Sequence, residues 1–325
     1  MKSGCFILFA ILHVIIFSAT VWAEDDIGHG DRLFLELWND NSYRKTEFGT
    51  EEPGYKEEDY FISQLWLQTG LRYELTDNVF FDPHFTLEVT GDWGSEEWND
   101  VYWNNSMFWG VGARISYETS SDGEDDQVIW ISDCNVELFM DLMFSERSLD
   151  KGKEDIPEDV STDNLRTGIS LWTALDTREF FAETTSIWAE IYGELTYENT
   201  GFAEKEYENF YLFTLELLSG PQFPVHDIYL QPYYALYVTR DFGNESWNKE
   251  PWLNNVTYGP GFRISMGNLL PVENADLYVY VEYLNIDYLS RVDQELYMDT
   301  ADDDLRLGIE IYLPFGATQD RIRRH

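Results

Sequence analysis

Along most of this chain apolar side chains recur at every second position. From Phe81 the odd positions are Phe81, Pro83, Phe85, Leu87 and Val89, against Asp82, His84, Thr86, Glu88 and Thr90. Residues 305–315 alternate Leu305, Leu307, Ile309, Ile311, Leu313 and Phe315 against Arg306, Gly308, Glu310 and Tyr312. Leu65, Leu67, Leu71 and Tyr73 likewise oppose Gln64, Gln68, Arg72 and Glu74, and Leu165, Ile169 and Leu171 oppose Arg166, Gly168 and Ser170. A period of two is the mark of a strand with two unlike faces. The pattern predicts about twelve strands, near the ~10 residues that a tilted membrane strand needs. They fall near 31–38, 61–75, 79–92, 107–118, 130–144, 164–175, 185–197, 208–219, 227–240, 256–266, 275–288 and 304–315.

The connections sort by length. Those at 39–60, 93–106, 145–163, 198–207, 241–255 and 289–303 are long and rich in Asp, Glu, Asn and Trp. Between them lie shorter ones, such as Thr76-Asp77-Asn78 and Asp176-Thr177-Arg178-Glu179. Long outer loops and short periplasmic turns are the asymmetry of outer-membrane barrels. Trp and Tyr cluster at strand ends (Trp38, Trp93, Trp98, Trp103, Trp109, Trp247, Trp252), as expected of interfacial girdles. Three stretches recur in order at offsets of roughly 140–150 residues: 80–98 with 229–247, 103–116 with 253–265, and 161–170 with 300–310. The expected fold is all-β: one antiparallel transmembrane barrel of about twelve strands, built from two six-stranded repeats. Neither half closes alone, so 24–325 is read as one domain.

The N-terminus changes what counts as the mature protein. Lys2, the apolar run 6–17 and the small residues of Val21-Trp22-Ala23 make 1–23 a secretory signal peptide. Its apolar run is too short for a spanning helix. The chain carries 61 Asp+Glu against 21 Lys+Arg, a net charge of −40, which excludes nucleic acid as a partner. Such acidity can signal disorder, but 17% aromatic residues decide against that. Of the two cysteines Cys5 lies in the signal, so Cys134 has no internal disulfide partner.

Candidate chemistry lies on the polar face. It carries Glu74, Asp82, Glu88, Glu137, Asp141, Glu190, Glu194, Glu216, Glu282 and Glu310, with fewer cations in Arg72, Arg114, Arg166, Arg263 and Arg306. His84, Tyr192, Tyr233, Tyr237, Tyr278, Tyr280, Trp172 and Trp188 share that face. As pore-lining residues these carboxylates favour cations, and aromatic rings beside carboxylates suit sugars. The opposite expectation is a barrel filled by its own paired side chains, a non-conducting receptor or structural protein. Catalysis has little support: His84 lacks a Ser two residues on, and no His or Cys spacing suits a metal. No cofactor is expected. The acidic stretches 121–126 and 300–304 read as solvated loops.

The stretches 80–98, 103–116 and 253–265 resemble the C-terminal barrels of exopolysaccharide-export and phage-adsorption outer-membrane proteins. Residues 308–315 (GIEIYLPF) resemble the C-terminal signal read by the barrel-assembly machinery, although ten residues follow Phe315. The resemblance implies outer-membrane lipid as surroundings and passage or display of a polysaccharide. In detergent the purified protein should give a mostly β far-UV circular dichroism spectrum and migrate heat-modifiably on gels. A product soluble without detergent would overturn this reading.

Overall fold

In the computed structural model the described residues are 32–49, 56–94, 105–120, 130–147, 163–182, 185–200, 209–244, 248, 253–272, 274–289 and 303–317. They form one antiparallel sheet. Its strands are β1 (Leu33–Gly49), β2 (Lys56–Leu71), β3 (Tyr73–Thr76), β4 (Val79–Asp92), β5 (Ser106–Ser120), β6 (Trp130–Arg147) and β7 (Asp163–Ala182). The second half adds β8 (Thr185–Thr200), β9 (Asn209–Val225), β10 (Ile228–Asp241), β11 (Asn254–Ser265), β12 (Asp276–Tyr288) and β13 (Asp303–Gly316). β2 and β3 are one stave interrupted at Arg72, whose backbone N–H still donates to the Arg32 carbonyl at 2.7 Å. Twelve staves result. Each pairs with its chain neighbour, and β1 pairs with β13 from Phe34↔Gly316 to Thr46↔Asp304, so the sheet closes on itself.

Closure leaves each stave paired on both sides, the condition for a β-structure without water at its edges. The two faces then differ as the alternation requires. Outward stand Val111, Ile115, Leu138, Met140, Leu142, Leu307 and Ile309, each at least 44% exposed. Inward stand Glu36, Gln68, Asp82, Arg114, Ser116, Asn135 and Glu137, all nearly inaccessible. An apolar surface with a polar interior inverts the soluble arrangement and matches that of lipid-facing barrels. Exposed Phe61, Trp93, Tyr211, Phe242 and Tyr283 mark the end with long connections, and Tyr117 and Phe223 the other.

Twelve predicted strands match twelve staves, with corrections at their ends. β1 continues through Asn39 to Gly49, where a loop was expected, because Asp40 and Ser42 extend its inward series. The turn expected at Asp176–Glu179 is strand: β7 runs to Ala182, so polar residues here lengthen a stave. Trp38 is no girdle residue. It sits on the interior parity of β1 and its indole Nε1 donates to Glu310 at 3.1 Å. Glu74 is exposed on β3 at the short-connection end. Residues 1–23, Trp98, Trp103, Trp247, Trp252, 121–126 and 300–302 lie outside the described residues, and Asp303 and Asp304, expected in a solvated loop, begin β13 with Asp304 buried against Arg306.

The outward belt gives a direct test. Val111 and Met140 stand near the middles of β5 and β6. Arg at either position should cost roughly 2–4 kcal/mol in lipid vesicles. Urea unfolding in vesicles measures this, and a neutral result would place the belt outside lipid.

Candidate functional site

The interior is organised around arginines. Near the short-connection end, Arg114 on β5 donates from Nε to Asp82 at 2.9 Å, and from Nη1 to Glu36 at 3.2 Å and to Gln68. Its guanidinium lies 5.0 Å from the Phe34 ring centre. Arg72 donates to Glu118 at 2.6 Å, approaches Asp82 at 3.8 Å and stacks on Phe80 at 3.7 Å. Across the lumen, Arg263 on β11 donates to Gln231 at 2.7 Å and to both oxygens of Glu190, the shorter at 2.7 Å. It stacks on Trp188 at 4.0 Å and Tyr278 at 4.4 Å. A planar guanidinium with five donors satisfies several acceptors at once, which offsets the desolvation of so many charges.

Farther up, the bonds cross from stave to stave over glycines. His84 on β4 meets Asp141 on β6 at 2.8 Å across Gly112 of β5. A Cβ on Gly112 would fall on both side chains. The other His84 ring nitrogen lies 3.0 Å from the Asp82 carbonyl. Arg166 on β7 donates to Glu194 at 2.9 Å and lies 3.6 Å from Glu88 on β4, three staves away. Tyr192 and Thr196 also donate to Glu194. On the opposite wall the Tyr233 and Tyr237 hydroxyls both donate to Glu282, at 2.8 and 2.7 Å. Arg306 pairs with Asp304 at 2.6 Å and approaches Glu282 at 3.9 Å. Tyr280 donates to Asp40 at 2.9 Å. Glu137 is buried beside Asn135, and Glu216 is half-buried on β9 opposite Tyr192.

Among the described residues two cavities of about 320 Å³ each open in the lumen, and they share no lining residue. The first spans mid-lumen. Its polar lining includes Glu88, Glu137, Asp141, Glu194, Arg166 and His84, and its rings are Trp38, Trp66, Phe139, Tyr192 and Tyr312, with Arg114 and Gln68 also on its wall. The second, nearer the short-connection end, is lined by Trp188, Glu190, Gln222, Gln231, Arg263, Asp276 and Tyr278.

Every interior residue singled out from the sequence, apart from Glu74, stands on the inner face. The lumen gathers them into separate networks, and of them His84, Glu88, Arg114, Glu137, Asp141, Arg166, Tyr192 and Glu194 line the first cavity. Glu36, Glu118, Asp40 and Trp66 were missed, Gln68 was placed on the polar face without a role, and Trp38 was read as a girdle residue. The signal was present in Phe34, Glu36, Trp38, Asp40 and Ser42, a period-two series in which bulky aromatics occupy the polar parity. Among the described residues no cluster of His, Cys, Asp and Glu could hold a metal ion.

No family model and no curated protein matches the chain in sequence. In fold it is similar to an outer membrane channel from Pseudomonas putida F1 (11% identity, 90% of this chain and 100% of that one, TM-score 0.41). It is also similar to the beta domain of the Bordetella autotransporter BrkA (13%, 86% and 99%, 0.38) and to LpxR from Salmonella typhimurium (9%, 86% and 99%, 0.40). Likeness at these values carries no assignment of activity.

Removal of the Arg114 charge should be costly, because Glu36 and Asp82 would stay buried without it. Arg114→Met is expected to destabilise the barrel by about 3–5 kcal/mol. Adding Glu36→Gln and Asp82→Asn should restore much of that loss. Denaturant midpoints for both variants check the sign of each change.

Proposed function

We propose that this is an exported outer-membrane barrel acting as a narrow channel for small cations and for neutral or amine-bearing sugars. The apolar belt, flanked by exposed aromatics, supports the membrane setting. The observation that carries the channel reading is the mid-lumen cavity, where four carboxylates face two arginines and a histidine among aromatic rings, leaving an acidic excess. Such a lining attracts cations and repels anions. Its volume lies at the lower end of the roughly 300–1,000 Å³ of small-molecule sites, which suits a single sugar or short oligosaccharide better than a polysaccharide chain. The non-catalytic reading is supported by His84, whose two ring nitrogens are both engaged.

A second reading is favoured by one observation: Arg114, Glu36 and Asp82 have at most 1% of their surface exposed. A lumen filled this tightly at one end suits a binding barrel that passes nothing. Planar-bilayer recording separates the two, since discrete steps support the channel and silence from folded protein supports the receptor. For a channel, the reversal potential in a salt gradient should show cation preference, reduced in the double variant Glu88→Gln with Glu137→Gln. An anion-selective wild type contradicts the charge argument.

A further inference from the structure

The register of the sheet places two matching constellations on opposite walls. Gly112 is cross-strand neighbour to His84 and to Asp141, and Asp141 to Arg166. Gly261 is in the same way neighbour to Tyr233 and to Glu282, and Glu282 to Arg306. Glu88 and Tyr237 stand four residues beyond His84 and Tyr233. The lower networks correspond too. Glu36, Gln68 and Thr86 form one cross-strand row, and Glu190, Leu218 and Ala235 the other. Arg114 reaches Glu36 as Arg263 reaches Glu190. At the upper rim Asp92 accepts the Phe61 and Gly94 backbone N–H groups, as Asp241 accepts those of Tyr211 and Gly243.

The two upper constellations differ in what fills them. In the second half the Tyr237 ring lies against Arg306, 5.1 Å from guanidinium to ring centre, with its hydroxyl on the Glu282 carboxylate. The Tyr233 hydroxyl takes the same oxygen. Tyr233, Tyr237, Glu282 and Arg306 border neither cavity. In the first half the corresponding residues are His84, Glu88, Asp141 and Arg166. All four line the mid-lumen cavity. Where the second half holds a ring bearing a hydroxyl donor, the first holds open volume over an arginine and carboxylates.

We propose that the barrel carries one binding site twice, vacant in the first half and filled by Tyr233 and Tyr237 in the second, and that the vacant copy takes a hydroxylated six-membered ring of sugar type. The ring packs over Arg166, and its hydroxyls donate to Asp141 and the neighbouring carboxylates, as the tyrosines do to Glu282. Trp38, Trp66 and Phe139 supply the apolar walls that a sugar ring packs against. Carboxylate acceptors make the stronger hydrogen bonds. The inference deepens the channel reading, in that it rests on the same cavity as the solute site. It holds whether or not the solute crosses.

Glucosamine is the probe, with the folded full chain in detergent. Equilibrium dialysis reads stoichiometry and tryptophan fluorescence reads occupancy. Wild type should bind one equivalent. The variant His84→Tyr with Glu88→Tyr fills the first site and should weaken binding by at least about tenfold, the equivalent of one or two hydrogen bonds. The converse variant, Tyr233→His with Tyr237→Glu, opens the second copy and should bind two equivalents. Heat-modifiable migration confirms folding of each, and His84→Tyr alone serves if the double variant fails to fold. No binding to wild type, two equivalents in wild type, or unchanged binding in the tyrosine variants overturns the proposal. Binding without conductance upholds it and sinks the channel reading alone.

Discussion

The ladder between β1 and β13 is the constraint on which the rest depends. It joins the two ends of the described chain, from Phe34↔Gly316 to Thr46↔Asp304. Without it two strands would present unpaired N–H and C=O groups, each costing several kcal/mol in hydrocarbon. With it every stave has two partners, and the interior becomes a space bounded on all sides. Side chains of the inner parity must then satisfy one another or a solute.

Arginine is the residue that solves this packing problem. Arg114, Arg166 and Arg263 each reach acceptors on staves that are not their neighbours, so charges on separate strands neutralise one another across the lumen. Lysine, with a single ammonium, lacks the fork for several acceptors at once. The glycines of β5 and β11 are the complement. By standing where a side chain would block the lumen, Gly112 and Gly261 let their neighbours on either side meet. The result is a barrel whose wall is rigidified from within.

Strand number was legible because alternation survives in almost every stave, and one face of each is nearly free of charge. Stave ends were less legible. Asp176 reads as a turn residue, yet in β7 it pairs with Trp188 as strand, since the backbone ladder continues whatever the local turn propensity. Trp38 reads as a girdle residue for a related reason. A large amphipathic ring suits an interface, and it suits equally well a lumen in which Glu310 accepts its N–H.

By itself the sequence determined the parity of the faces, the order of the strands and the acidic excess of the interior, because these follow from residue type and a period of two. Only the tertiary structure decided which charges meet. Glu88 and Arg166 are far apart in sequence and three staves apart in the sheet, and barrel curvature brings them to 3.6 Å. Nor does any local pattern distinguish Tyr237, folded onto Glu282, from Glu88, which faces open volume. That difference arises from how side chains of unlike size meet across a closed sheet, where the residue facing each one is set by the register of distant strands.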